Sequence, residues 1–377
     1  MKMPVKIAFI HNYYIHYRVP LFKMLAKIFS VKFFFDDIHR FIERIETPFN
    51  YKINFGPKLK EVRLPLLLWA DLLRFRPDVI ITGDAILPST IAGFIVSKLL
   101  KKPFILWEER WFWPSSIVSR LLWPISRFIT LRSDVLVIPG TLSKKFYEAV
   151  GVSQSKIITA PNACYVYLNK EYKSEVVKLR RSLALDNKFV ILYFGRIVPY
   201  KAAHLIIKAL TKLVRHEGYN NVHLLVVGGE SDDYYRKLLE KYIIVNKLEN
   251  NVTILGFVEE KKKALFYKLA DVVVFTPYYE TWSFVVNEAM HCGKPVISTT
   301  TCACAYDLIK NGYNGFLIKP GDVNSLCRAL SELMINWRLR RNFGKKAKQV
   351  ALKYSYYSML KGFVKAIILA LRKNRFT

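Results

Sequence analysis

Two acids and two cations in the second half of the chain are of the right types to hold a small phosphorylated molecule. The stretch TPYYETWSFVVNEAMHCGKPVIST carries Glu280 and Glu288, eight residues apart. The apolar run DVVVFTP predicts a buried strand, YYETW its exit loop, and SFVVNEAMHC a helix stopped by Gly293, with Pro295 just beyond. Glu280 then projects from irregular backbone and Glu288 from a helix face. That spacing does not make a close acid and base pair for glycoside hydrolysis; the two carboxylates are expected to grip different parts of one ligand. A helical glutamate can accept two hydrogen bonds from a vicinal diol such as a ribose. A glutamate at the carboxyl end of a strand can reach the hydroxyls of a sugar.

The cations lie upstream, in YFGRIVPYKAAHLIIKAL. A strand ends at Gly195, Arg196 follows, and Lys201 stands five residues on at the mouth of a helix. Two cations plus the amide groups of a helix start form a diphosphate cradle. The competing reading is a solvated charged turn. No Walker sequence G-x-x-x-x-G-K-[ST] occurs, so an NTPase phosphate loop has no support.

Such residues need a scaffold that gathers strand ends. In the first half VKIAFIH, DVIITG, PFILWEE and SDVLVIPG alternate with helical stretches such as RVPLFKMLAKIF and TIAGFIVSKLL. In the second, FVILYFGR, VHLLVVGG, VTILGF, DVVVFTP, PVISTT and GFLI do the same. Continuous apolar runs between helices predict parallel sheets covered on both faces, and these bind ligands beyond the carboxyl ends of their strands. A chain of 377 residues predicts two such domains. The apolar rhythm breaks from PNACYVYLNKEYKS to LRRSLALDNK, where the linker is expected.

Fifty-nine Lys and Arg against 29 Asp and Glu give a net charge of +30, which attracts anionic partners: nucleic acid, an acidic membrane face or a phosphorylated small molecule. No recognition-helix, RNP or zinc pattern accompanies the charge, so nucleic acid is not the expected partner. No apolar run reaches the ~18 to 20 residues that span a bilayer, and the opening MKMPVKIAFIHNYYIHYR is a poor signal peptide. A cytoplasmic address is expected, with peripheral attachment to the cytoplasmic face of the membrane as its extension. The five cysteines lack paired spacing, and no metal site is expected. After Glu332 there are no acids and twelve Lys or Arg, within YSYYSMLKGFVKAIILAL and its flanks. This tail reads as basic amphipathic helix, either packed on the body or touching an anionic membrane, and the basic, aromatic surface SRLLWPISRFITLR is a second motive for expecting a membrane nearby.

The set FGRIVPYK, VVGG, ILGFV, ETWSFVVNEAMHCGKPVIST and YDLIKNGYNGFLIKPGD, in this order and spacing, resembles the retaining, GT-B-fold glycosyltransferases of family four. The resemblance covers most of residues 186–340; in the first half it rests on HNYYIHYRVPLFKMLAK. It implies an α/β protein of two facing Rossmann-like domains with a cleft between them and a C-terminal helix returning to the first. The expected boundaries are an acceptor domain over 1–166, a nucleotide-sugar donor domain over 167–352, and the basic helix over 353–377. By the same resemblance Arg196 and Lys201 neutralise the donor diphosphate and the charge on the leaving group. Glu280 holds the transferred sugar and Glu288 the ribose, with Gly195, Ser283 and Phe284 completing the donor site.

The resemblance implies no cofactor and no metal, and no D-x-D pair argues otherwise. It also implies same-face attack with retention of the anomeric configuration. The acceptor expected is a lipid-linked or otherwise membrane-proximal glycan. Departures from the family pattern are the bulky HNYYIHYR, which makes His11 and Arg18 acceptor-side candidates, and ILWEERWFWP, which offers Glu108 as a catalytic group and Glu109 on the acceptor side. Ala202 and Ala303 stand where glycine is usual. The alternatives are a sugar-nucleotide epimerase of the same fold and, in another class, a basic nucleic-acid-binding protein.

Overall fold

A computed structural model of the chain describes residues 4–38, 49–54, 56–59, 62–167, 170–229 and 232–374; residues 168 and 169 of the expected linker lie outside them. The chain divides into two compact units, residues 1–162 with 355–377, and residues 163–354.

The first unit is built on a seven-stranded sheet of order β3-β2-β1-β6-β7-β8-β9, parallel throughout. Its strands are β1 (Lys6–Tyr14), β2 (Ser30–Ile38), β3 (Asn50–Ile53), β6 (Val79–Gly83), β7 (Phe104–Trp107), β8 (Val135–Ile138) and β9 (Ile157–Thr159). A small antiparallel pair, β4 (Lys58–Leu59) and β5 (Val62–Arg63), forms a separate two-stranded sheet. The helices are α1 (Val19–Ile28), α2 (Leu68–Phe75), α3 (Pro88–Leu99), α4 (Ile117–Arg132) and α5 (Thr141–Val150). The last helix of the chain, α14 (Tyr356–Lys373), also belongs to this unit.

The second unit repeats the plan with a six-stranded parallel sheet of order β12-β11-β10-β13-β14-β15. It contains β10 (Phe189–Phe194), β11 (Val222–Val227), β12 (Val252–Gly256), β13 (Val272–Phe275), β14 (Val296–Thr299) and β15 (Gly315–Ile318). Its helices are α6 (Tyr172–Ser182), α7 (Ala203–Arg215), α8 (Asp233–Val245), α9 (Lys263–Leu269), α10 (Phe284–His291), α11 (Ala303–Leu308), α12 (Val323–Ile335) and α13 (Trp337–Ala351). Every residue of β10 and β11 is buried, as central strands covered on both faces require. Strand order reverses between β10 and β13, and the loops leaving these two strands diverge there to open a crevice.

The basic tail settles on its own unit. Met359, Leu360, Phe363, Ala366, Ile367 and Ala370 of α14 are buried, and Phe363 meets Phe9 and Trp107. Gly362 makes the fit: a Cβ there would lie 2.7 Å from the Thr159 carbonyl oxygen and 2.6 Å from the Ala160 Cβ. The apolar stripe that suggested a membrane contact for the tail is therefore largely spent on the sheet.

Candidate functional site

The phosphate-cradle segment leaves β10 through Gly195 (φ +140°), whose N–H reaches the Val227 carbonyl at 2.9 Å. A Cβ on neighbouring Gly228 (φ +156°) would stand 1.8 Å from the Gly195 carbonyl oxygen, so only glycine lets the exits of β10 and β11 approach this closely. The Tyr193 hydroxyl donates to the Arg196 carbonyl at 2.7 Å, and the Arg196 guanidinium donates to the Tyr200 hydroxyl at 2.7 Å. A short 3-10 turn, Pro199–Lys201, then hands over to Ala202, whose φ of 55° is left-handed. That conformation is the physical reason glycine is usual at this position, and alanine there carries about 1–2 kcal/mol of backbone strain.

The second loop is tied to the first. The Tyr278 N–H donates to the Tyr200 carbonyl at 2.9 Å, and the Tyr200 and Tyr279 rings stack at 5.3 Å. Glu280 is fixed on both sides of its backbone: its N–H donates to the Thr301 carbonyl and its carbonyl accepts from Ala303, each at 3.1 Å. Its carboxylate faces the Lys201 ammonium at 3.4 Å. Ser283 begins α10 without a side-chain cap on the first turn, so that helix turns its partial positive charge toward the space that Ser283, Phe284 and Val285 line.

Glu288, one turn further along α10, is buried. The Tyr267 hydroxyl donates to it at 2.6 Å, and the Lys263 ammonium lies 3.6 Å away. Burial raises the Glu288 pKa, against the opposing pull of Lys263 and of the Tyr267 hydrogen bond. Burial acts to lower the Lys263 pKa, but Glu288 and Glu260 outweigh it and the net direction is upward. The pair is thus an ammonium and a carboxylate that need each other. Lys263 and Tyr267 occupy successive turns of α9 and present themselves to Glu288 together.

Gly195, Arg196, Lys201, Lys263, Glu280, Ser283, Phe284 and Glu288 line one cavity of about 240 Å³, with Phe194, Trp282 and Val285 completing its wall. A smaller cavity of about 90 Å³ shares Lys263 and Glu288 and is flanked by Tyr165 and Tyr167. All the donor-side residues expected from sequence meet here. Lys263 and Tyr267 were missed: in VEEKKKALFYKLA the lysines look like a solvated helix face. The available signal was their i, i+4 spacing.

The remaining candidates lie in the first unit, where Arg18, Glu109 and His11 form a cluster and Glu108 has separate partners. Arg18 pairs with Glu109 and donates to Asn162 at 2.6 Å, Asn162 donates to Glu109 at 2.9 Å, and the guanidinium sits 4.2 Å from the centroid of the Trp107 ring. The His11 ring lies 5.4 Å from the same indole, and burial with the Arg18 charge lowers its pKa to about 3, so the imidazole is neutral. Glu108 is buried and accepts from the Ala85 N–H at 2.6 Å. Burial and Asp84 raise its pKa to about 7, with Arg110, the Ala85 N–H and the Tyr147 hydroxyl pulling the other way. Among the described residues no group of three or more His, Cys, Asp or Glu is arranged to hold a metal ion.

Two parallel doubly wound sheets, with a cationic cavity at the switch point of the second, define the GT-B class of fold. HepE from Anabaena, solved in complex with UDP, superimposes with a TM-score of 0.79 at 20% identity, covering 96% of this chain and 99% of that one. Residues 177–350, just under half of the chain, match the model of the glycosyl transferases group 1. An uncharacterized glycosyltransferase of Methanocaldococcus jannaschii, MJ1607, is 30% identical over 200 residues, 52% of this chain and 49% of its own length. The sulfoquinovosyl transferase SQD2 of Arabidopsis thaliana is 25% identical over 300 residues, 76% of this chain and 56% of that protein. The matches thus span about half the length of these two relatives.

Proposed function

We propose that the protein transfers a sugar from a nucleoside-diphosphate sugar to an acceptor, holding the donor in the second unit. The observation that carries this reading is the convergence of Arg196, Lys201 and Lys263 with Glu280 and Glu288 on one cavity beside the uncapped start of α10. In this reading the diphosphate lies against Arg196, Lys201 and the α10 amides. Glu288, held by Tyr267 and Lys263, accepts from the ribose diol, and Glu280 accepts from hydroxyls of the sugar. HepE, solved with UDP and with UDP-glucose, supports a nucleotide-sugar donor.

The bond that breaks joins the anomeric carbon to the β-phosphate oxygen. The bond that forms joins that carbon to an acceptor oxygen, whose proton passes to the departing phosphate on the same face, so configuration is retained. Arg196 and Lys201 stabilise the negative charge that grows on the leaving diphosphate. Three protein cations at the site replace the divalent ion that phosphate chemistry otherwise employs, and turnover is expected to survive EDTA. Glu108 is assigned a positioning role, tying the exit of β7 to Ala85, and the Arg18, Glu109 and His11 cluster shapes the acceptor side. The acceptor is proposed to be a lipid-linked or membrane-proximal glycan, met on the cytoplasmic face.

Purified protein supplied with a panel of nucleotide sugars and a lipid-linked acceptor extract should release nucleoside diphosphate and form a glycosylated product. Arg196→Ala should lower kcat/KM by about a hundredfold or more, with an unchanged melting temperature. Full activity in that variant would place the site elsewhere.

A further inference from the structure

Helix α4 buries one face and leaves the opposite face both apolar and bare. Ser126, Ile129 and Thr130 turn into the unit. At the helical period, Ile117, Val118, Leu121, Ile125 and Phe128 fall within a single sector of about 100° on the other side. Their exposures are 77%, 66%, 73%, 45% and 51%. Phe128, at the end of the stripe, touches the core residue Phe94 of α3 edge-on at 6.1 Å; Ile117, Val118, Leu121 and Ile125 lie outside the core cluster and mark a surface that something else covers.

Charge identifies what covers it. From Arg110 to Ser133 there is no acid and there are four arginines, of which Arg120, Arg127 and Arg132 are exposed on α4. At the helical period Arg120 and Arg127 flank one edge of the stripe. Trp113, 57% exposed, stands just ahead of the helix. Two copies meeting through this face would bring arginine against arginine in a chain of net charge +30. An anionic lipid surface offers acyl chains to the stripe and phosphates to the arginines at the same depth. No described helix is long and apolar enough to cross a membrane, so the contact is one of lying on the surface.

We propose that α4 docks the protein on anionic lipid bilayers, with the Ile117–Phe128 stripe entering the headgroup boundary and Arg120, Arg127 and Arg132 meeting lipid phosphates. Of the two basic segments, this assigns the membrane contact to the helix between β7 and β8 rather than to the tail, whose Met359, Phe363, Ala366 and Ile367 are buried.

The test is co-sedimentation of the full chain with vesicles of phosphatidylcholine alone and of phosphatidylcholine mixed with phosphatidylglycerol. Wild-type protein should pellet with the anionic vesicles only, and less so as salt is raised. The double variant Leu121→Glu, Ile125→Glu should partition about tenfold more weakly or worse. Both residues are exposed, so circular dichroism and melting temperature should not change. Arg120→Gln with Arg127→Gln should weaken anionic binding, whereas Lys361→Gln with Lys365→Gln on α14 should not. Arg196→Ala should pellet like wild type, which separates failure of this docking surface from failure of the sugar-transfer reading. Undiminished pelleting of the Leu121, Ile125 variant would overturn the proposal, as would equal binding of wild type to neutral vesicles. A dimer in light scattering that this variant dissolves, without vesicle binding by wild type, would assign the stripe to a second copy instead.

Discussion

Glu288 is a buried acid whose charge depends on two neighbours one turn apart on α9. Its carboxylate must be ionised to accept from a diol, and its pKa is raised by burial. Donor affinity should therefore fall, as pH is lowered, at a higher pH than an ordinary glutamate would give. Lys263→Gln removes the largest opposing influence, so it should move that acid limb upward and weaken donor binding at neutral pH, as titration of a nucleoside diphosphate across pH will show. An acid limb at the same pH in both proteins would remove Glu288 from the site. His11 supplies a stability prediction of the same form. Its folded pKa of about 3 lies below the ordinary 6.5, so the unfolded chain binds the extra proton first. Its stabilising contribution is full above about 6.5 and is lost progressively as pH falls toward 3. His11→Phe should flatten that part of a pH–denaturation series. The sequence revealed four of the five charged residues that reach the cavity, because their motif spacing survives in one dimension. It hid Lys263, since nothing in a run of three lysines says which one turns inward.

The elements carry their own constraints. Strand exits at β10 and β11 are pressed together at Gly195 and Gly228, and α14 is pressed onto β9 at Gly362. Gly228→Ala places a methyl group against the Gly195 carbonyl and should disturb the loop that carries Arg196. Activity should be lost together with about 1–3 kcal/mol of stability in urea melts. Gly362→Ala should cost a similar amount by lifting α14 from its sheet, with donor affinity retained. The parallel strands were legible because strands buried on both faces read as unbroken apolar runs. The fate of the tail was not, because an amphipathic pattern shows that a stripe exists without showing what covers it. The basic, aromatic run SRLLWPISRFITLR already pointed to α4 as a surface, but not to which of its apolar residues stay exposed.

At the scale of the molecule, the chain is two doubly wound units that divide the labour by composition. The second unit gathers acids and cations at its switch point, and the match to the glycosyl transferases group 1 model falls almost wholly within it. The first unit contains the exposed arginine-flanked stripe, the Arg18 and Glu109 cluster, and the helix that closes the chain. Deleting residues 355–377 should therefore destabilise the first unit, exposing Phe9 and Trp107, rather than merely remove positive charge. Aggregation of the truncated chain is the expected outcome, and a soluble, fully active product would contradict this account of the tail. The excess of cations, which composition alone left open among three partners, separates in space: some line a cavity of small-molecule size, and others border an apolar face.

In the function proposed for this protein, one cavity in the second unit binds the nucleoside diphosphate portion of an activated sugar. Equilibrium titration of wild type, Arg196→Ala and Lys263→Gln with UDP, GDP and ADP tests it most directly. Wild type is expected to bind at least one of the three saturably, and both variants to bind it about tenfold or more weakly without loss of folded structure. Binding of equal strength in all three proteins would contradict it.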